Sequence, residues 1–148
     1  MNPQIKRAAA ADLDAVAPLF DAYRGFYGQP PDLARARDWL QARMQADESV
    51  VLLAETGGRP VGFVQLYPMF SSVGTARTWI LNDLYVDASA RRGGVARALL
   101  DAAADFARDD GARSIVLETT RDNTPARALY RNAGWNEDET QWYSLSLK

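Results

Sequence analysis

Apolar positions recur every three to four residues at Leu13, Val16, Leu19, Phe20 and Tyr23, the spacing of one helix face. Asp12 is placed to cap this helix, which is expected to run to about Tyr27. Leu33, Ala36, Leu40 and Met44 repeat the pattern after Asp32, predicting a second helix to about Ala46. The aromatic, Gly- and Pro-rich stretch from Tyr23 to Pro31 reads as a loop at its end. Gln4 to Arg7 is read as a short first strand.

From Ser49 the period changes to that of strands. Val50 to Glu55 reads as a strand and Thr56-Gly57-Gly58-Arg59 as a hairpin turn. Val61 to Tyr67 follows, ended by Pro68, and then Thr75 to Val86. Three strands on short connections predict an antiparallel meander. A helix from about Arg92 to Asp109 carries the stripe Val95, Leu99, Ala103 and Phe106, and Gly111 stops it. Ser114 to Leu117 lacks alternation and reads as a strand buried on both faces, parallel to a neighbour. Asn123-Thr124-Pro125 opens a last helix, with Ala126, Leu129, Tyr130 and Ala133 on one face and Gly134 at its end. Trp135 to Lys148 is expected to form terminal strands.

The chain of 148 residues is expected to form a single domain, 1–148, of mixed α/β class. Cys and His are both absent. That excludes disulfides, zinc–thiolate sites, cysteine nucleophiles and a Ser-His-Asp triad. Proton chemistry is left to carboxylates, Tyr, Lys, a terminus or water, and no metal site is expected. A net charge of −2 argues against broad nucleic-acid binding. No apolar run is long enough to span a membrane, and the N-terminus lacks a signal-peptide core, so a cytoplasmic protein is expected.

The stretch Val86 to Leu100 reads as a strand end, a turn with Arg91, Arg92, Gly93 and Gly94, and the start of a helix. Unpaired N–H groups in the first helical turn, the helix dipole, two glycines and two arginines together suit a phosphate. The same features also occur in ordinary strand-to-helix turns. Neither G-x-x-x-x-G-K-[ST] nor G-x-G-x-x-G is present.

The element order β-α-α-β-β-β-α-β-α-β-β resembles the GNAT superfamily of N-acetyltransferases, whose fold is a mixed, mainly antiparallel twisted sheet flanked by about four helices. The family's [RQ]-x-x-G-x-[GA] motif is met by Arg91, Gly94 and Ala96, after Leu84-Tyr85-Val86. Its downstream signature is met by Asn123 to Tyr130, followed by Gly134-Trp135. Leu81 to Val86 is similar to the polyamine and diamine acetyltransferases and their histone/polyamine relatives. It departs from the spermidine/spermine enzymes in having Asn82 in place of a Glu.

The resemblance implies transfer of an acetyl group from acetyl-CoA to a primary amine of a small molecule, such as a polyamine, a diamine or an amino-acid-like compound. Alternatives are a protein lysine or N-terminus as acceptor, and a CoA-binding regulator without turnover. It also implies a homodimer. By resemblance, the CoA pyrophosphate sits on backbone amides of Arg92, Gly93, Gly94, Val95, Ala96 and Arg97, with Arg91 beside them. The pantetheine arm pairs with the backbone of Leu84, Tyr85 and Val86, and Asn123, Ala126 and Tyr130 join the cofactor site.

Tyr130 is the implied proton donor to the leaving thiolate. A phenol near ~10 and a thiol near ~8.5 make full transfer uphill by roughly 2 kcal/mol, so partial donation is the expected role. A Tyr packed on the helix's apolar face is the alternative.

At pH 7 about one alkylamine in a thousand or fewer is neutral, so the acceptor needs a base. Asn82 and Asp83 interrupt an apolar strand, where polar groups are costly unless paired or used. Strict alternation places them on opposite faces; a bulge, which the resembled family has here, changes that. Asp83 is expected to attract the cationic acceptor or take its proton through water that Asn82 positions. Glu118 is an alternative base or a solvated strand-end carboxylate. Tyr23, Phe26, Tyr27 and Gln29 are candidates to line the acceptor pocket or to form a hydrophobic lid. Trp79 and Trp142 are read as core or interface residues.

Overall fold

The computed structural model describes residues 2–148. The described residues pack as two compact units, 2–118 and 119–148. The first holds a five-stranded sheet in the order β1-β2-β3-β4-β5, formed by Gln4–Arg7, Val50–Thr56, Arg59–Ser71, Ala76–Val86 and Ser114–Val116. The first four strands pair antiparallel, and β5 runs parallel to β4. Helices α1 (Leu13–Phe26) and α2 (Leu33–Gln45) precede β2, and α3 (Val95–Asp109) lies between β4 and β5. The second unit holds α4 (Thr124–Asn132).

The local signals act as their chemistry dictates. The Asp32 carboxylate accepts the Arg35 N–H at 3.1 Å and caps α2. Asn123 does the same for Ala126 at 3.3 Å in α4. Asp12 instead accepts the Ala9 N–H at 2.8 Å, so a 3-10 turn over Ala10–Asp12 leads into α1. Gly57 and Gly58 both take positive φ, as a two-residue hairpin turn requires.

One face of the sheet is covered by α1 and α2. Leu13, Val16, Leu19 and Phe20 pack there with Leu40, Val51, Leu53 and Phe63. The other face carries α3. The Trp79 and Phe106 rings meet edge to face with centroids 5.1 Å apart, and a Cβ on Gly62 would stand 3.3 Å from both Val95 and Leu99 side chains. Leu99, Leu100 and Ala103 are fully buried. At about 25 cal/mol per Å² of apolar surface, each buried Leu contributes roughly 2 kcal/mol.

Four sequence expectations are corrected. Strand β3 does not end at Pro68 but runs to Ser71, with Pro68 opposite Trp79. Beyond Leu66 it borders only β4, and an edge tolerates a residue without an N–H. Helix α3 starts at Val95 rather than Arg92, because Arg92 (φ 65°) and Gly94 (φ 79°) adopt left-handed conformations that a helix excludes. Strand β5 is only half-buried, with Ser114 exposed. Residues 135–148 form no strand. A strand exists only where its backbone groups find a partner ladder, and this segment pairs with none among the described residues. Its Trp142, Tyr143, Leu145 and Leu147 are exposed.

Candidate active site

Strand β4 changes parity in its middle. Trp79 and Leu81 are buried on the α3 side, yet Tyr85 packs against the α1 and α2 core. Both cannot hold in a regular strand, where i and i+2 share a face without interruption. The register supplies the missing residue. Gln65 pairs with Asp83 and the next residue, Leu66, pairs with Leu81, which leaves Asn82 as a bulge.

The bulge brings Asn82 and Asp83 to one cavity instead of opposite faces. This pocket of about 380 Å³ is also lined by Tyr23, Arg24, Tyr27 and Gln29 from α1 and the turn after it, by Trp39 of α2, and by Tyr67 of β3. Phe26 is not among its lining residues and is 72% exposed. Tyr23 and Phe26 lie within α1 rather than in a loop.

Asp83 is 6% exposed. Gln65 Nε2 donates to one of its carboxylate oxygens at 2.8 Å, and Asn82 Nδ2 donates to the other at 3.1 Å. Burial pushes the Asp83 carboxyl above its ordinary value. Hydrogen bonds from Gln65, Tyr23 and Asn82 oppose that rise because they favour the ionised form. Tyr23 is held strongly in its neutral form, first by burial and then by the neighbouring Asp83 charge. Tyr67 is pushed the same way, chiefly by burial. The carboxylate therefore faces phenols that stay protonated and can donate to it.

Strand β4 pairs with β5 only from Thr78 to Ile80. Past that point β4 has β3 on one side and, among the described residues, no strand on the other, so the stretch Leu84, Tyr85 and Val86 has an unpaired edge, while the Tyr85 carbonyl itself faces β3. Tyr85 projects to the α1 side, where its ring lies 6.2 Å from Tyr23. The Arg91 guanidinium sits 5.9 Å over the Tyr85 ring, and Arg91 Nε donates to the Val86 carbonyl at 3.1 Å. Arg91 thus folds back on the strand end.

A turn of 3-10 helix over Ala88–Ala90 follows, begun by Asp87, which accepts the Ser89 N–H at 3.1 Å. The turn from Arg91 to Gly94 then enters α3. Gly94 is its cap residue, and no side chain caps the first turn of Val95, Ala96 and Arg97. Arg97 is paired with Asp101 at 3.1 Å. Asn123 caps α4 of the second unit, which holds Ala126 and Tyr130, and the Tyr130 and Trp135 rings lie 6.4 Å apart. Glu118 is exposed.

Sequence reading passed over Gln65, Trp39, Tyr67 and Arg24. The one signal for Gln65 is a lone amide inside the apolar run Val61 to Leu66, and a buried amide needs a partner.

Comparisons with known proteins identify the family and the fold. The model of the Acetyltransferase (GNAT) family matches residues 13–135. The chain is 48% identical over 134 residues to the Uncharacterized N-acetyltransferase YhfO of Bacillus subtilis, covering 90% of each chain. It is 33% identical to a probable acetyltransferase of Haemophilus influenzae, over 76% of this chain and 77% of that one. A crystal structure of a probable acetyltransferase superposes with a TM-score of 0.93 at 41% identity, over 98% of both chains. The aminoglycoside acetyltransferase AAC(6')-Iy, solved in complex with CoA, shares the fold with a TM-score of 0.82 at 21% identity, over 99% of this chain and 96% of that one. The parity switch in β4, the opening between β4 and β5 and the uncapped turn before α3 therefore belong to a member of the GNAT family of acetyltransferases.

Proposed function

We propose that the chain transfers an acetyl group from acetyl-CoA to a primary amine of a small molecule, by direct attack in a ternary complex. The observation that carries this reading is the bulge at Asn82. It sets a buried carboxylate, Asp83, into an aromatic-lined cavity on the strand whose edge is open from Leu84 to Val86.

The residues present fit the cofactor. The stretch Leu84, Tyr85 and Val86, which no strand pairs on its β5 side among the described residues, suits the amide-bearing pantetheine arm. The turn of Arg91, Arg92, Gly93 and Gly94 suits a pyrophosphate, since Gly94 at φ 79° has open space where a Cβ would stand. The first-turn N–H groups of Val95, Ala96 and Arg97 add donors and the positive end of the helix dipole. Asn123 and Ala126 are assigned to the cofactor on the family resemblance. Bound acetyl-CoA would supply the acetyl thioester.

On the acceptor side, the Asp83 charge attracts an ammonium group, and the faces of Tyr23, Tyr27 and Trp39 favour it. Burial makes Asp83 a stronger base than an exposed aspartate, which suits proton removal near neutral pH. Asn82 positions the water that carries the proton from the amine to Asp83. The amine nitrogen then bonds to the acetyl carbon as the carbon–sulfur bond breaks. Tyr130 donates a hydrogen bond to the departing sulfur, a role that rests on the match of Asn123 to Tyr130 to the family signature.

The similarity of Leu81 to Val86 to the polyamine and diamine branch supports a small amine as acceptor, with amino-acid-like compounds also admitted. The exposed Trp142, Tyr143, Leu145 and Leu147 support a homodimer, which light scattering tests.

The function is tested by thiol release from acetyl-CoA against spermidine, short diamines, amino acids and a lysine-rich peptide. Turnover is expected with one small-amine class and lost in Asp83→Asn. Tight CoA binding without release of thiol across the panel would overturn the proposal.

A further inference from the structure

Arg24 lies on α1 directly after Tyr23 and is half-buried. It lines the cavity of Asp83 and also a wider one, of about 800 Å³, between α1 and α2. Its Nη1 is buried with no hydrogen-bond partner among the described residues. A guanidinium cannot shed its charge. A buried guanidinium N–H group without a partner beside a cavity is destabilising until an acceptor pairs with it.

The other charges nearby are already engaged or lie further out. Arg43 is bound to Glu48 at 2.8 Å and stacks on Trp39 at 4.4 Å. Asp32 caps α2. Arg35 and Asp38 line only the wider cavity. The inner cavity therefore presents one carboxylate, Asp83, and one guanidinium, Arg24, with aromatic side chains around them.

We infer that the acceptor is an amino-acid-like molecule whose carboxylate pairs with Arg24 while its amine faces Asp83. This rests on the acetyl-transfer reading above and narrows it. A polyamine brings two or more positive charges to a cavity that holds one carboxylate and a fixed cation. A zwitterion meets its complement at both ends, and a charge-assisted, two-pronged contact is what Arg makes with a carboxylate. Arg24 is on this view a specificity residue, touching the acceptor away from the reacting nitrogen.

The test compares matched pairs that differ only in the carboxylate: lysine with cadaverine, ornithine with putrescine, phenylalanine with phenethylamine. Each is assayed by thiol release with the wild-type chain, Arg24→Met and Arg24→Lys. Wild type is expected to favour the amino acid in at least one pair by about 10- to 100-fold in kcat/KM. Arg24→Met is expected to erase that preference by slowing the amino acid, leaving the matched amine within about threefold, and Arg24→Lys to restore part of it. Equal or better turnover of the decarboxylated amine by wild type in every pair would overturn the inference. So would an equal loss on both members of each pair in Arg24→Met, the mark of a merely structural role.

Thermal shift with each compound alone, without acetyl-CoA, separates this inference from the catalytic reading. Stabilisation by an amino acid but not its matched amine, lost in Arg24→Met, supports Arg24 even if no thiol is released. Stabilisation that ignores the carboxylate, or none by any compound, overturns it even if acetyl transfer proceeds.

Discussion

Gln65 donates to the Asp83 carboxylate at 2.8 Å across the β3–β4 pair, at the point where its register slips. Gln65 is fully buried, and its carbonyl oxygen has no partner among the described residues. The amide is thus held by a single contact, to the group proposed as the base. The bulge, the buried carboxylate and the amide that holds it form one local device.

That contact makes a directional prediction. The Gln65 hydrogen bond favours the ionised carboxylate, so Gln65→Leu is expected to raise the Asp83 pKa further. The acidic limb of kcat/KM against pH moves to higher pH, with little change on the plateau. A limb that stays where wild type has it would disconnect Asp83 from the rate.

Asp83→Asn is expected to lower kcat/KM by about 100-fold or more near neutral pH, the low end of what a general base contributes. Steady-state thiol release with the best acceptor checks this, and a rate within a few-fold of wild type would remove Asp83 from the chemistry.

The same substitution has an opposite effect on stability. The folded-state pKa of Asp83 is raised by burial. Its contribution to stability is fully present below the unfolded value of about 3.9 and is lost as pH rises through the folded value. Asp83→Asn cannot ionise, so its stability relative to wild type should grow from acid toward neutral pH. Asp12 and Asp87, whose values are lowered, act in the other direction but cancel in the difference. Urea unfolding of both chains across that range reads the result, and a constant difference would contradict it.

Gly62 lies where β3 passes under α3. A Cβ there would meet the Tyr85 carbonyl oxygen at 2.8 Å and the Val95 and Leu99 side chains at 3.3 Å. Gly62→Ala is expected to cost about 1–3 kcal/mol, as overpacking does. Tyr85 belongs to the stretch proposed to hold the pantetheine arm, so CoA affinity by calorimetry should fall as well. Unchanged stability would mean that β4 gives way freely at Tyr85.

Tyr130→Phe removes one oxygen from α4. A role in assisting sulfur departure predicts a fall in kcat of about 10- to 100-fold with KM for both substrates little changed. Unaltered kcat in a folded variant would return Tyr130 to packing.

Much of this protein is local and therefore legible in the chain. Asp32 and Asn123 cap the helices that follow them, Gly57-Gly58 turns the hairpin, and Leu13 to Tyr23 presents one apolar face, because each depends on neighbours within a few residues. The absence of Cys and His restricts the chemistry, and the spacing of Arg91, Gly94 and Ala96 carries a resemblance to the family that matches residues 13–135. The parity switch at Asn82 is decided elsewhere. Trp79 must meet Phe106 of α3 while Tyr85 meets Tyr23 of α1, and one extra residue in β4 satisfies both. The gathering of Arg24, Trp39, Gln65 and Tyr67 around Asp83 has the same origin. Those residues sit on α1, α2 and β3, and only packing against two faces of one sheet brings them together. Sequence periodicity reports which face a residue prefers; the tertiary structure decides where that preference must change sides.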